Sequence, residues 1–337
     1  MNWNLIGNQW AEEILQSHLV HDNLRHAYLF TGPEGVGREA LAVSFAKAIN
    51  CENPPEKGGF CDACRNCVQM EKLQHPDLHV VQREGKSKKI LVDQVRSLQR
   101  SLSLSPYQAD YRIVLFLNFE DAHVSAANAL LKTLEEPNEK VILLFVVDHV
   151  NNLLPTIVSR CQELKLRPVP PNELVSALIT RCKVDPQKAA LLTTVSGGCP
   201  QFALRLNADE ALMEKRVKCL RDLLNLMKMN RVQRFAWVEG LGLHSRKDDK
   251  KQAVLDFGDC LKEWFNFWRD VLMMKHTPNV KPINLDLQDE IVGIANAVSD
   301  ETVLNQISSI EKTLTMMGTN TNLRLMTEVL VLDLPYL

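Results

Sequence analysis

The chain has almost no net charge, no long apolar run and no repeated or low-complexity tract. Its 39 basic and 41 acidic residues leave a formal charge of -2 over 337 residues. There is thus no global electrostatic pull toward nucleic acid or membrane, and any DNA contact has to be local or belong to a partner. No apolar stretch approaches the roughly 18 to 20 residues a bilayer requires. The opening MNWNLIGNQWAEEIL lacks the basic region and apolar run of a signal peptide, so a cytoplasmic protein without a membrane partner is expected. Cysteine is not scarce: there are nine, an odd number, and four crowd into residues 51–67. That pattern suits metal ligation in a reducing compartment better than a disulfide framework. The length exceeds what one hydrophobic core usually spans, which favours two or three domains.

Helical apolar spacing runs from Ala11 to Leu24. HAYLFTG (26–32) is a short apolar run ending in a glycine turn, the pattern of a buried parallel strand. REALAVSFAKAI, which follows, is rich in helix formers and places Leu41, Phe45, Ala46 and Ile49 near one face. Further strands are expected at 77–82, 112–118 and 140–147, with helices at 91–102 and 125–135 between them. Apolar strands alternating with helices indicate an α/β domain around a mostly parallel sheet. Proline-rich LRPVPPNEL (166–174) breaks this pattern, and from there onward the periodicity is helical. Met213, Val217, Leu220, Leu224 and Met227 form one stripe; Val254, Phe257, Leu261, Trp264, Phe265, Trp268 and Leu272 form another, both read as core.

Cys51, Cys61, Cys64 and Cys67 fall as C-x9-C-x2-C-x2-C, with glycine, proline and aspartate in the intervening turns. Two-residue gaps let thiolates converge on one tetrahedral zinc at roughly 2.3 Å. Four thiolates fill the coordination sphere, so the zinc expected here is structural, not catalytic. Cys182, Cys199, Cys219 and Cys260 read as small core hydrophobes.

Gly32 and Gly37 have the spacing of the phosphate-binding loop G-x-x-x-x-G-K-[ST], yet Arg38 replaces the lysine and Glu39 the magnesium-binding hydroxyl. With Gly35, these glycines permit a loop whose amides face an anion at a helix start. A guanidinium, however, does not fit the space of an ammonium, and Glu39 sets a carboxylate near the phosphates' own charge. Weak or absent ATP binding is expected, with an ion pair from Arg38 to Glu39 or another neighbour consuming the cation.

HAYLFTGPEGVGREALAVSFAKAINC, HPDLHVV, KILVDQVRSLQRSLSLSPYQADYRIVLF, AANALLKTLEEP and LLPTIVSRCQ together resemble bacterial DNA polymerase III clamp-loader subunits of the AAA+ class, over nearly the whole chain. The resemblance implies an α/β AAA+ core at 1–165 carrying the zinc module as an insertion at 51–67. It also implies a small helical lid at 166–207 and an all-α collar at 208–337 that joins a hetero-oligomeric ring. Other loader subunits, the gamma/tau ATPase and delta, are the implied partners, with sliding clamp and primer-template DNA met mainly through the complex.

In that family the arginine of Ser-Arg-Cys is a finger reaching a neighbour's ATP, which here implies Arg160. The alternative is an internal ion pair for Arg160. Where catalytic members carry Asp-Glu, this chain has Asn118 and Phe119, with Glu120 and Asp121 as candidates or as solvent-facing loop acids. Asp148 and His149 stand at the phosphate-sensing position, and Gln201 replaces a lid arginine.

A non-hydrolysing assembly subunit is therefore expected. The rivals are a gamma/tau-like ATPase with a divergent site and a zinc-bearing DNA-binding module. The basic stretch REGKSKK (83–89) is either a phosphate contact or a solvated loop.

Overall fold

The computed structural model describes residue 3 and residues 5–83, 89–243, 247–277, 280–317 and 322–337, with 247–251 as backbone alone. Five residues of the basic stretch, 84–88, lie outside that description. The chain divides into two compact units, Met1–Val184 with Gly198–Ala203, and Asp185–Gly197 with Leu204–Leu337.

In the first unit α1 (Gln9–Val20) leads into β1 (Ala27–Thr31), α2 (Arg38–Ile49) and α3 (Arg65–Glu71). β2 (Leu78–Val81), α4 (Val92–Leu102), β3 (Arg112–Leu117) and α5 (Val124–Glu135) follow. β4 (Val141–Val147), α6 (Pro155–Val158), β5 (Gln162–Lys165) and α7 (Pro171–Cys182) complete the order. The five strands form one sheet in the order β2-β3-β4-β1-β5, every pair parallel.

The continuous apolar runs follow from burial on both faces. Tyr28, Phe30, Ile113, Leu115, Ile142 and Leu144 pack on one side with α2. Leu29, Val114, Phe116, Leu143 and Phe145 pack on the other with α4 and α5. The period of two thus divides each strand between two cores. The expected α/β core with a parallel sheet is present.

β5 escaped the sequence reading because it is an edge strand, Gln-Glu-Leu-Lys, in which only Leu164 is buried. α3 was missed as well: its seven residues sit inside the cysteine module and carry little apolar periodicity.

The second unit is helical among its described residues, as expected. α8 (Pro186–Val195), α9 (Pro200–Ala208), α10 (Glu210–Lys228) and α11 (Arg231–Gly240) come first; α9 begins among the residues of the first unit. α12 (Lys247–His276), α13 (Gln288–Ala297), α14 (Asp300–Met316) and α15 (Leu323–Asp333) follow. Trp264, Phe267 and Trp268 of α12 are fully buried at the centre of this core. The buried face of α10 includes Leu220 and Met227 of the expected stripe together with Arg216, Cys219, Leu223 and Leu226, and Leu224 packs partly buried against the same core. The Arg216 guanidinium turns inward to Asp286 at 2.7 Å and Asn284 at 2.6 Å.

Candidate functional site

β1 delivers the glycine loop from the middle of the sheet. Gly32 has φ +141°, and a side chain there would place its Cβ 2.5 Å from the Leu166 carbonyl oxygen. Gly35, at φ +76°, lies so close to Phe202 that an added Cβ would meet the phenylalanine Cβ at 2.5 Å. Its carbonyl accepts hydrogen bonds from the N–H groups of Gln201 (2.8 Å) and Phe202 (3.1 Å). The Gln201 side chain is exposed, and at this position the backbone touches the loop. Gly37 caps α2 with a left-handed φ of +108° and, being glycine, offers the first helical N–H groups no side-chain acceptor of its own.

Arg38 begins α2 and is buried, its side chain 6% exposed. Nη2 pairs with Asp148 Oδ1 at 2.5 Å. The cation of the loop is consumed internally, as expected, but by a residue at the end of β4 and not by Glu39. Glu39 is exposed in the first turn of α2, where a carboxylate complements the helix dipole.

Asp148 is held by its own backbone. Its carbonyl accepts from Gly32 N–H at 3.3 Å, and its N–H donates to Glu120 Oε1 at 3.2 Å. Burial raises the Glu120 carboxyl, and the Asp148 charge pushes the same way against Arg38. Arg38 Nη1 and Glu120 Oε2 are both buried without a hydrogen-bond partner.

Asn118 takes φ +53°, a conformation that asparagine tolerates better than most residues. This turn sends Phe119 into the core, 4.9 Å from the Phe116 ring and 5.0 Å from Phe145. An aromatic anchor therefore stands where a catalytic acid was sought. Glu120 is not a solvent-facing loop acid but part of the loop's electrostatics, whereas Asp121 pairs with Arg83 at 3.1 Å. The fit of Glu120 depended on the left-handed turn at Asn118, which the apolar run before it does not announce.

The cysteine module is built on the end of α2 and on α3. The ligand atoms of Cys51, Cys61, Cys64 and Cys67 all lie within 4.8 Å of one another, and all four are free of disulfides. A tetrahedral zinc site of four thiolates needs sulfurs about 3.8 Å apart, so the set fits a metal with little adjustment. Backbone N–H groups aim at the sulfurs: Cys61 to Cys51 at 3.3 Å, Cys64 to Cys61 at 3.2 Å, Cys67 to Cys64 at 3.4 Å. N–H donors from Cys64 and Ala63 pull the Cys61 thiol down to about 7, while burial pushes Cys51 and Cys67 up. Buried Lys47 ties the module to α2 through Asp62 (2.8 Å) and Glu71 (2.7 Å), with Phe60 beneath its ammonium at 4.2 Å.

Arg160 follows α6, half-exposed. Nη2 meets Glu135 Oε1 at 2.8 Å, and Nη1 donates to the Thr156 carbonyl at 2.9 Å. The partner, Glu135, is the last residue of α5 and 53% exposed. Neighbouring Ser159 donates to the Thr156 carbonyl at 3.2 Å, and burial pushes the Cys161 thiol up to about 12, so neither is an activated nucleophile.

The model of the DNA polymerase III delta subunit family matches residues 7–170. The DNA polymerase III subunit delta′ of Bacillus subtilis is 30% identical over 324 residues, covering 96% of this chain and 94% of that protein. The delta′ subunit of Pseudomonas aeruginosa is 36% identical over 205 residues, 60% of this chain and 62% of that one. A solved DNA polymerase III gamma subunit-related protein of Thermotoga maritima aligns with a TM-score of 0.41 at 16% identity, over 96% of this chain and 97% of that chain. On the similarity that runs nearly end to end with the Bacillus protein, the chain belongs to the delta-prime subunit family of DNA polymerase III.

Proposed function

We propose that this chain works as a clamp-loader subunit in DNA replication that hydrolyses nothing itself and extends Arg160 into the ATP site of an adjacent subunit. The observation that carries the first half is the Arg38–Asp148 ion pair at 2.5 Å. The guanidinium that would meet the terminal phosphates already faces a carboxylate. The neighbouring catalytic-acid position holds Phe119, packed into the core. Charge stabilisation at the transferring phosphoryl group, the main source of rate in such sites, thus loses two of the groups that would supply it.

For the second half, the Arg160 guanidinium is half-exposed, held by the Thr156 carbonyl through Nη1 and by a solvent-exposed carboxylate through Nη2. An exposed pair of this kind is worth about 0 to 1 kcal/mol, so exchanging Glu135 for a neighbour's phosphate costs little. The partners on this reading are gamma/tau ATPase subunits and delta in a hetero-oligomeric ring, with sliding clamp and primer-template DNA met through that ring.

The domain roles follow: an AAA+ core at 1–165, a lid at 166–207 and a collar at 208–337. Cys51, Cys61, Cys64 and Cys67 hold a structural zinc, which when bound cross-links α2 to α3. No helix among the described residues is long and apolar enough to cross a membrane.

The experiment is ATP turnover by the purified chain with magnesium, alone and with primed DNA. No turnover above the no-enzyme control is expected. Multiple turnover that disappears in Arg38→Ala would replace this reading with that of a divergent gamma/tau-like ATPase.

A further inference from the structure

We infer that Asp148 is the residue that closes the glycine loop to phosphate, and that removing its carboxylate uncovers a working site for a compact polyanion such as pyrophosphate. This deepens the reading of the loop as a nucleotide site without chemistry, and it rests on that reading.

The cradle itself is intact. Gly32, Gly35 and Gly37 keep positive φ angles, and α2, twelve residues long, is capped by Gly37, which has no side chain of its own to bond the first N–H groups. Backbone donors and a helix N-terminus form an anion site wherever a charge can approach them. The first residue of α2, directly after Gly37, carries a guanidinium that is 6% exposed and only half satisfied. Nη2 is paired with Asp148, whereas Nη1 is buried with no acceptor. A phosphate oxygen is the chemistry that such a donor lacks.

Asp148 keeps that anion out in two ways. Its carboxylate neutralises Arg38 at 2.5 Å, and its own charge repels phosphate. Because its carbonyl is bonded to Gly32 and its N–H to Glu120, the backbone of this residue is fixed beside the glycine loop. Glu120 stands behind it as a second carboxylate, with buried Oε2 unpartnered. When Asp148 is neutralised, Glu120 is the group positioned to take Arg38 over. The single change is therefore expected to open the site in part, and loss of both carboxylates to open it fully. Glu39, exposed in the first turn of α2, still repels phosphate there and limits the gain; a metal-free probe is used so that binding reports on Arg38 and the loop amides alone.

The test is isothermal titration of the full chain with inorganic pyrophosphate at low salt and in chelator. It compares wild type, Asp148→Asn, Asp148→Ser and Asp148→Asn/Glu120→Gln, each first checked for a native near-ultraviolet spectrum. Wild type is expected to show no saturable binding to millimolar ligand. The Asp148 variants should bind at least tenfold tighter than wild type and the double variant tighter still, with Arg38→Ala added to the double variant abolishing the gain. If the folded double variant and Asp148→Ser bind no better than wild type, or if binding survives loss of Arg38, the inference is overturned while the reading of a silent loop stands. If wild type itself binds magnesium-ATP and turns it over, the functional reading falls instead.

Discussion

Buried beyond any solvent contact, Asp77 accepts from the N–H groups of Tyr107 (2.7 Å), Gln108 (2.7 Å) and Ala109 (3.0 Å), with Arg112 at 3.5 Å. Burial alone would push this carboxyl up; the three N–H donors and Arg112 more than reverse it, and it lies below its ordinary 3.8. The sign follows by linkage: the stability it contributes is complete above 3.8 and is lost as pH falls through the lower folded value. Asp77→Asn leaves Arg112 buried beside a neutral amide and replaces one of the two accepting oxygens by an amide donor that faces backbone N–H. A loss of about 3 kcal/mol at neutral pH is expected, narrowing as pH drops below 3.8. Urea denaturation at both ends of that range measures it, and a variant as stable as wild type at pH 7 would contradict it. The spacing of residues shows HPD before a strand but not that Asp77 organises a loop thirty residues away. The same limit applies at the glycine loop. Gly32, Gly37, Arg38 and Glu39 are read directly from a motif, whereas Asp148 as the partner of Arg38 requires the parallel pairing of β1 with β4, which no local pattern encodes.

At the level of helices and strands, single charged groups hold together ends that propensity would leave loose. Arg234 of α11 is fully buried and satisfies carbonyls at two helix ends. Nε bonds Leu226 (3.0 Å) and Met229 (3.1 Å) at the end of α10; the guanidinium nitrogens bond Val331 (3.0 Å), Leu334 (2.7 Å) and Pro335 (3.1 Å) at the close of α15. Terminal carbonyls lack intrahelical partners and favour a cation, and only a planar fork spans both ends. Arg234→Lys is expected to cost about 3 kcal/mol, read as an earlier denaturant midpoint for the helical unit; a shift under a quarter of that would contradict the capping role.

α3 depends on its surroundings too. Seven residues are too few to hold a helix alone, and its cap is the Cys64 sulfur. Metal analysis should return one equivalent of zinc, and stripping it should speed hydrogen exchange across residues 58–71 while leaving β1 and β4 protected. Less than a few tenths of an equivalent in protein expressed with zinc would remove the metal from this picture. These elements also mark where the sequence is legible. β1, β3 and β4 are buried on both faces and announce themselves as unbroken apolar runs. β5 lies at an edge and α3 is organised by sulfur, so hydrophobic period says little about either; on α10 it finds Leu220 and Met227 but not buried Arg216.

For the whole molecule, the question is whether Arg160 serves this chain or another. A surface pair between Arg160 and Glu135 contributes about 0 to 1 kcal/mol to folding, so losing it should change stability little. A guanidinium reaching a transferring phosphate across an interface contributes about 10³ to 10⁵ in rate. The two roles therefore separate by comparing both partners. Arg160→Ala and Glu135→Ala should each unfold within a few degrees of wild type and assemble normally with the ATPase subunits and delta. In the reconstituted loader with primed DNA and clamp, ATP turnover at the site facing Arg160 should collapse for Arg160→Ala. Turnover with Glu135→Ala should stay within a few-fold of wild type, because there the guanidinium is released but still present. Equal effects of the two substitutions on turnover, or a full ATPase rate with Arg160→Ala, would return Arg160 to a purely internal ion pair and leave the proposed transfer of charge between subunits without a donor.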